Sequence, residues 1–347
     1  MCLRVACHKP GMHKISAEVK QNMETNSRKG KLGEFAAGYV KGRQKIEVGM
    51  ALTDKKNMNL MNLIKKVHSV VENVDIEKHR QSQDHFGAIL GNSKDTVIRE
   101  IVIEDMYAEW ISVNRAHMKK YVILYCHGGG YSTGSSLYAR TLTTKLAMST
   151  SMDVLCFDYR LAPEHPYPAA LEDAMKAWDY LMLLGYGARD VMIAGDSAGG
   201  NLALALVHKL KSENRLLPRG LALMSPWTDL TASGHSYQTR KDVDPVLDVD
   251  YIGQMVHNYA EGQDLTNPLI SPLFGDFAEF PSTYIQVGDN EVLLEDSVML
   301  HEKMIKANVP VRMDLFEGMW HVFQMSPFKT AYEAMDKNAE FIYNICR

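Results

Sequence analysis

Residues 195–199 read Gly-Asp-Ser-Ala-Gly, and their neighbours constrain the fold more than the five letters do. Val191, Met192, Ile193 and Ala194 form a short apolar run of the kind a buried strand makes. From Asn201 to Leu210, Leu202, Ala203, Leu206 and Leu210 recur at helical spacing. A strand, a sharp turn with serine at its tip and then a helix is the context in which G-x-S-x-G presents a nucleophile. Such a turn strains the serine backbone, and the positions two before and two after must be small so that strand and helix can approach. Gly195 and Gly199 meet that need. Ser197 then projects into open space beside the first N–H groups of the helix, which are unpaired and partly positive and so favour a developing anion. A chance match in a glycine-rich loop is the plain alternative; the flanking pattern argues for the nucleophile.

The remaining bounds are broad. At 347 residues the chain can bury a large core as one large domain or two modest ones. No apolar run approaches the roughly 18 residues needed to span a bilayer. Met1–Pro10 lacks an apolar core, so no signal peptide is expected. The five cysteines show no metal-like spacing. Cys126 and Cys156 sit in apolar runs where a thiol acts as a small hydrophobe, while Cys2, Cys7 and Cys346 lie near the ends. A reduced, cytoplasmic protein without a disulfide framework is expected. Charge is uneven: residues 1–90 hold 16 Lys and Arg against 9 Asp and Glu, and the remainder 22 against 33. The basic residues are spread out without interleaved aromatics. Docking on an acidic body or a solvated face is therefore favoured over a nucleic-acid or membrane contact through Arg28–Lys31 and Lys65-Lys66.

Residues 1–33 show no period. A helical rhythm runs from Phe35 to Val74, with Leu60, Leu63, Ile64, Val67 and Val70 at three- and four-residue steps, and no alternating strand is evident before residue 97. The first ninety residues thus read as a helical, basic segment. Val97–Glu104 alternates and Tyr107–Val113 follows after a turn, which predicts antiparallel strands. Tyr121–Cys126 and Asp153–Tyr159 are denser runs, as in strands covered on both faces. Helices are predicted at Thr141–Met148, Pro168–Leu184, Asn201–Lys211, Val292–Ala307 and Lys329–Ile345, and strands at Gly220–Ser225, Thr283–Val287 and Val311–Phe316. The alternation predicts an α/β fold with a mostly parallel sheet. A polar stretch near 231–265, with a short helix around Tyr251–Tyr259, interrupts it where an insertion would sit above the carboxyl edge of the strands.

A serine hydroxyl needs a base and oxyanion donors. His127-Gly128-Gly129-Gly130 directly follows the run Tyr121–Cys126, and its glycines let backbone N–H groups approach a substrate. Gly128 and Gly129, joined by Ala198, are the expected donors; a flexible turn is the alternative. Tyr131 and Tyr138 are candidates to border the substrate pocket. With the order serine, acid, histidine, only His208, His235, His257, His301 and His321 qualify as base. His208 lies on the serine's helix, His235 and His257 in the insertion, and His301 mid-helix, where solvation is expected. His321 follows the last predicted strand in a short loop and is chosen. The acid belongs just past Thr283–Val287, where Asp289, Glu291, Glu295 and Asp296 stand; the last two already fall on the next helix.

Together these residues resemble the hormone-sensitive-lipase group of α/β-hydrolase esterases. The likeness rests on His127–Gly130, Asp158-Tyr-Arg-Leu-Ala-Pro-Glu-His165 with Pro168-Ala-Ala and Glu172-Asp173, Gly195–Gly199, Ser225-Pro-Trp-Thr-Asp229 and Gly318-Met-Trp-His321. It covers about residues 95–345. It implies the α/β-hydrolase fold, a twisted, mostly parallel sheet flanked by helices. A helical cap would come from residues 1–90 and the insertion, and residues 91–347 would form the catalytic domain. In the family the acid stands in Asp-Pro-Leu-x-Asp; aligning Leu293 puts Glu291 in its place, a departure from the commoner aspartate, with Asp289 as the alternative. Arg160, Glu172 and Asp173 are expected to brace the glycine loop, and Met50, Met58, Leu60 and Met61 to line an acyl pocket or simply pack the cap.

The expected function is serine hydrolysis of small carboxylic esters with short to medium acyl chains, through Ser197, His321 and Glu291, with no metal and no organic cofactor. No nucleic-acid partner and no stable membrane insertion are expected, and homo-oligomerisation stays open. Two rivals use the same fold: an amidase or peptidase with this triad, and a non-catalytic small-molecule receptor, against which the presence of His321 argues.

Overall fold

The dense apolar runs become the centre of a sheet in the computed structural model, which describes residues 47–49, 61, 75–117 and 119–347. Its strands are β1 (Glu47–Gly49), β2 (Thr96–Ile103), β3 (Met106–Val113), β4 (Val122–Cys126), β5 (Asp153–Phe157), β6 (Val191–Asp196), β7 (Gly220–Met224), β8 (Ser282–Gly288) and β9 (Val311–Phe316). They lie in the order β1-β9-β8-β7-β6-β4-β5-β3-β2. Only β3 runs against the rest, pairing antiparallel with β2 and β5. Every residue of β4, β5, β6 and β7 is buried, which is why these runs read as continuous rather than alternating.

The helices are α1 (Ile76–Leu90), α2 (Ser136–Thr150), α3 (Ala169–Leu183), α4 (Ala198–Ser212), α5 (Ser236–Thr239), α6 (Val249–Ala260), α7 (Leu294–Lys306) and α8 (Lys329–Cys346). One face of the sheet packs on α2 and α8, through Leu142, Leu146, Met335 and Ile342 against Ile123, Tyr125, Val154 and Ala194. Helices α3 and α4 pack on each other, and α4 rests on β6. The insertion holds α5 and α6. Asp248 caps α6 by accepting from Asp250 and Tyr251 N–H, and Ile252, Met255 and Tyr259 form its buried side.

Three expectations change. A three-residue strand, β1, precedes residue 97 and pairs in parallel with β9; a run that short carries no alternation to detect. A helix stands at α1, capped by Asp75, beyond the predicted rhythm of Phe35–Val74, which falls almost wholly outside the described residues. Helix α2 begins at Ser136 rather than Thr141, because the Ser135 hydroxyl accepts from Tyr138 N–H and so starts the helix early.

The turn between β6 and α4 is as tight as its glycines imply. Ser197 sits at φ 53° and ψ −122°, a conformation that costs of order 1–3 kcal/mol outside glycine. A Cβ on Gly199 would lie 2.0 Å from the Cys126 carbonyl oxygen and 2.4 Å from that of His127; one on Gly195 would lie 2.5 Å from Gly199 O. Strand, turn and glycine loop are thus in direct backbone contact. Gly199→Ala is expected to lose at least about 1–3 kcal/mol of stability, the usual cost of overpacking. Urea unfolding of the purified variant reads it, and an unchanged midpoint contradicts the close approach.

Candidate active site

Three strand ends bring the candidate reacting groups together. Ser197 follows β6, Glu291 lies three residues beyond β8, and His321 sits in the loop after β9. His321 Nε2 is 2.9 Å from Ser197 Oγ, and Nδ1 is 3.2 Å from Glu291 Oε2. The other carboxylate oxygen, Oε1, accepts from Gly288 N–H at 2.6 Å and from the Ser225 hydroxyl at 2.7 Å. Glu291 is therefore held at both ends and fully buried. Ser225 also accepts from Val322 N–H at 3.1 Å, which ties the histidine loop to the acid. Val322 takes a left-handed conformation at φ 49°, rare for a β-branched residue and a mark of a loop fixed by its surroundings.

The other candidate acids are occupied elsewhere. Asp289 Oδ1 accepts from Gly318 N–H at 2.7 Å, bracing the histidine loop from behind. Asp296 accepts from the N–H groups of Thr228 and Asp229, and burial pushes its carboxyl up to about 8. Glu295 accepts from His235 N–H. Of the four carboxylates considered, only Glu291 meets His321. Among the remaining histidines, His208 is packed against Phe277 and Phe280, and His301 is buried at 5% exposure rather than solvated as expected. It is one of the buried positions of α7, with Leu300 and Met304.

The glycine loop differs by one residue from the expectation. Gly128 N–H is committed to Asp196 Oδ1 at 3.0 Å, and the same oxygen accepts from the Tyr125 hydroxyl at 2.7 Å. Gly129 and Gly130, not Gly128, border the cavity in front of Ser197. The N–H groups of Gly129, Gly130 and Ala198 have no acceptor among the described residues. Asp196 is fully buried and burial pushes its carboxyl up to about 6. The composition of the pentapeptide signals this residue, but not the bond it makes.

The cavity measures about 350 Å³. Ser197, His321 and the glycines border it at one end. Val246, Leu247, Ile252 and Met255 from the insertion, with Trp320, Val322 and Met325, supply its apolar walls, and α1 contributes His79, Ser82 and Gln83. Tyr138 borders the cavity. Tyr131 does not: it is fully buried, donates to Asn201 Oδ1 at 2.7 Å and stacks on Tyr259 with centroids 3.7 Å apart. Its phenol ties the glycine loop to α4 and α6. Met61 packs against the cluster of Phe316, Met319 and Trp320; Met50, Met58 and Leu60 lie outside the described residues. Arg160 grips Asp173 through its Nε at 2.8 Å and Glu172 through a terminal nitrogen at 2.9 Å. Ala162 N–H in that same loop donates to Tyr131 O, which links the ion-paired segment to the residue after the glycines.

His321 carries an electrostatic bias. Burial disfavours its charged form, but the hydrogen bond and charge of Glu291, with the charges of Asp244 and Asp196, outweigh that and raise its pKa above 6.5. Asp244 is itself held by Val246, Leu247 and Val292 N–H groups. A base poised this way accepts a proton readily and keeps it in a stabilised cation.

Among the described residues no helix is long and apolar enough to cross a membrane. Residues 123–325 match the family model for the alpha/beta hydrolase fold. The chain is 40% identical over 223 residues to an esterase of Acinetobacter venetianus, covering 63% of this chain and 74% of that one. It is 36% identical over 251 residues to an acetyl-hydrolase of Streptomyces hygroscopicus, covering 72% and 83%. Solved structures agree. An esterase from the bacterial hormone-sensitive lipase family superposes with a TM-score of 0.80 at 29% identity, over 86% of this chain and all of that one. A hormone-sensitive lipase from a metagenome library gives 0.79 at 33% identity, over 84% and 98%. The chain belongs to the α/β-hydrolase fold family, among its hormone-sensitive-lipase-type carboxylic-ester hydrolases.

Proposed function

We propose that this chain hydrolyses carboxylic esters of short to medium acyl length through Ser197, His321 and Glu291. The observation that supports it most is the unbroken hydrogen-bonded line from Ser197 Oγ through His321 to Glu291 at the end of an apolar cavity. Ser197 Oγ attacks the ester carbonyl carbon while His321 Nε2 takes its proton. Negative charge collects on the carbonyl oxygen and is met by the N–H groups of Gly129, Gly130 and Ala198. The tetrahedral centre collapses, His321 returns the proton to the departing alkoxide, and an alcohol leaves an acyl-serine. Water then attacks with the same base, and the acid departs. Glu291 accepts from Nδ1–H throughout, fixing the tautomer and stabilising the imidazolium without taking the proton.

The cavity volume sits at the low end of the 300–1,000 Å³ common for small-molecule sites, which supports small esters. Side chains of α1 and of the insertion at its rim support a cap drawn from residues up to 90 and from 231–265. Free thiols at Cys126, Cys156 and Cys346 support a reducing, cytoplasmic setting.

Ser197→Ala should lower turnover of p-nitrophenyl butyrate by roughly four to six orders of magnitude. Glu291→Ala should cost about four orders, and Asp289→Ala far less. Near-normal turnover in Glu291→Ala alongside a dead Asp289→Ala would reassign the acid. A matched anilide turned over as fast as the ester would favour the amidase reading.

The pH profile gives a separate check. His321 acts as a base only when neutral, so kcat/KM should fall as pH drops through a value above 6.5. In Glu291→Gln the raising influence of the carboxylate is gone and burial prevails. The acidic limb of the residual activity should then move to lower pH; a limb that stays put would show that Glu291 does not govern His321.

A further inference from the structure

The proposed chemistry uses one end of the cavity and leaves a polar pair on its α1 wall unexplained. His79 and Gln83 stand four residues apart on α1 and both border the cavity. They are therefore neighbours on one helical face. The main chain sets the orientation of Gln83: Gly134 N–H donates to its Oε1 at 3.1 Å. An N–H cannot accept, so the amide oxygen faces Gly134 and the NH₂ faces the other way. That NH₂ lies 3.2 Å from His79 Nε2. Nε2 must then hold the lone pair, and the neutral ring carries its proton on Nδ1. Burial, which lowers the pKa of His79 below 6.5, keeps the ring neutral.

Nδ1 has no partner among the described residues, yet it is not one of the polar atoms sealed inside the protein. His79 as a whole is only 8% exposed. A backbone N–H thus locks a glutamine, the glutamine locks a histidine, and one N–H donor is left over on a residue that borders a cavity walled elsewhere by Leu247, Ile252, Trp320 and Met325. An imidazole that merely filled this space would need no such lock. Resting on the esterase reading of the cavity, we propose that His79 selects esters carrying a second oxygen acceptor, a carbonyl or ether away from the reacting ester, by hydrogen-bonding it through Nδ1–H. The tautomer matters because Nδ1–H can only donate. The nearby Tyr138 hydroxyl can donate or accept and so does not discriminate. An all-hydrocarbon ester leaves the donor unpaired in an apolar surround, and that unmet bond penalises it.

The experiment compares matched pairs that differ by one oxygen. p-Nitrophenyl levulinate against p-nitrophenyl valerate puts the oxygen in the acyl part; methoxyethyl butyrate against n-butyl butyrate puts it in the alcohol. The pair that shows the preference identifies the side His79 faces. Wild-type kcat/KM should favour the oxygenated member of one pair by about 2- to 10-fold, the worth of one neutral hydrogen bond. His79→Leu should bring that ratio to the level of the indifferent pair, and Gln83→Leu, which frees the tautomer, should reduce it. His79→Asn, whose amide nitrogen takes the place of Nδ1, should restore part of it. A ratio is insensitive to general damage, so a merely structural role would leave it unchanged. The inference is overturned if wild type shows no preference in either pair, or if His79→Leu keeps the preference. Absence of Ser197-dependent turnover of all four esters overturns the esterase reading, and this inference with it.

Discussion

A backbone corner with no space for side chains sets the geometry of this site. At Ser197 the chain leaves β6 and enters α4 in a conformation that non-glycine residues avoid, and it does so within van der Waals reach of the Cys126 and His127 carbonyls. Gly195 and Gly199 are the condition for that contact. Because the elbow touches the start of the glycine loop through main-chain atoms, the distance from Ser197 to that loop does not depend on flexible side chains. Asp196 adds a second tie. Its Oδ1 holds Gly128 N–H, and the next two residues of the loop border the cavity that Ser197 also borders. The helix that begins at Ala198 contributes its own unpaired N–H at the same place.

Charge is arranged around His321 with equal economy. Glu291, Asp244 and Asp196 are all buried nearby, and each is held by backbone N–H groups: Gly288 for Glu291, Val246, Leu247 and Val292 for Asp244, and Gly128 for Asp196. Burial pushes both aspartates up to about 6, a sign of how unfavourable an anion is there without those donors. What the arrangement yields is a histidine whose cation is welcome although it is walled off from solvent. Ser225 is the hinge of this set, since one hydroxyl donates to the acid and accepts from the residue after the base. His79 and Gln83 extend the same logic to the far wall of the cavity, where a backbone N–H again determines what a side chain can offer.

Much of this was legible because the chemistry imposes local patterns. The runs at β4, β5 and β6 read as buried strands since both faces are covered. Ser197 and His321 stood out because a serine at a strand–helix turn and a histidine after the last strand are placed by topology, and the fold brings the two side chains together. What escaped had no local signature. Gly128 and Gly130 are identical residues two apart, yet the first is bonded to Asp196 and the second borders the cavity. Tyr131 sits where a pocket residue would, yet Tyr259 and Asn201, far along the chain, draw it into the core. His301 reads as a solvated mid-helix residue until α7 is seen to turn that face inward. Ser225 lies in a quoted motif, but nothing in the motif says that its hydroxyl links Glu291 to Val322, the residue after His321.

From its residues alone the chain determined an alternating α/β order, a cramped serine turn, a glycine loop ahead of it and the histidine of the last loop, because each depends on spacing within a few positions. Which of Asp289, Glu291, Glu295 and Asp296 stands beside His321, which glycines border the cavity and the Gly134 bond that orients Gln83 beside His79 were decided only by the folded chain. Each of those is a question of which partner a group meets across fifty or more residues, or around a bend between strands, and proximity of that kind is made by packing rather than by sequence distance.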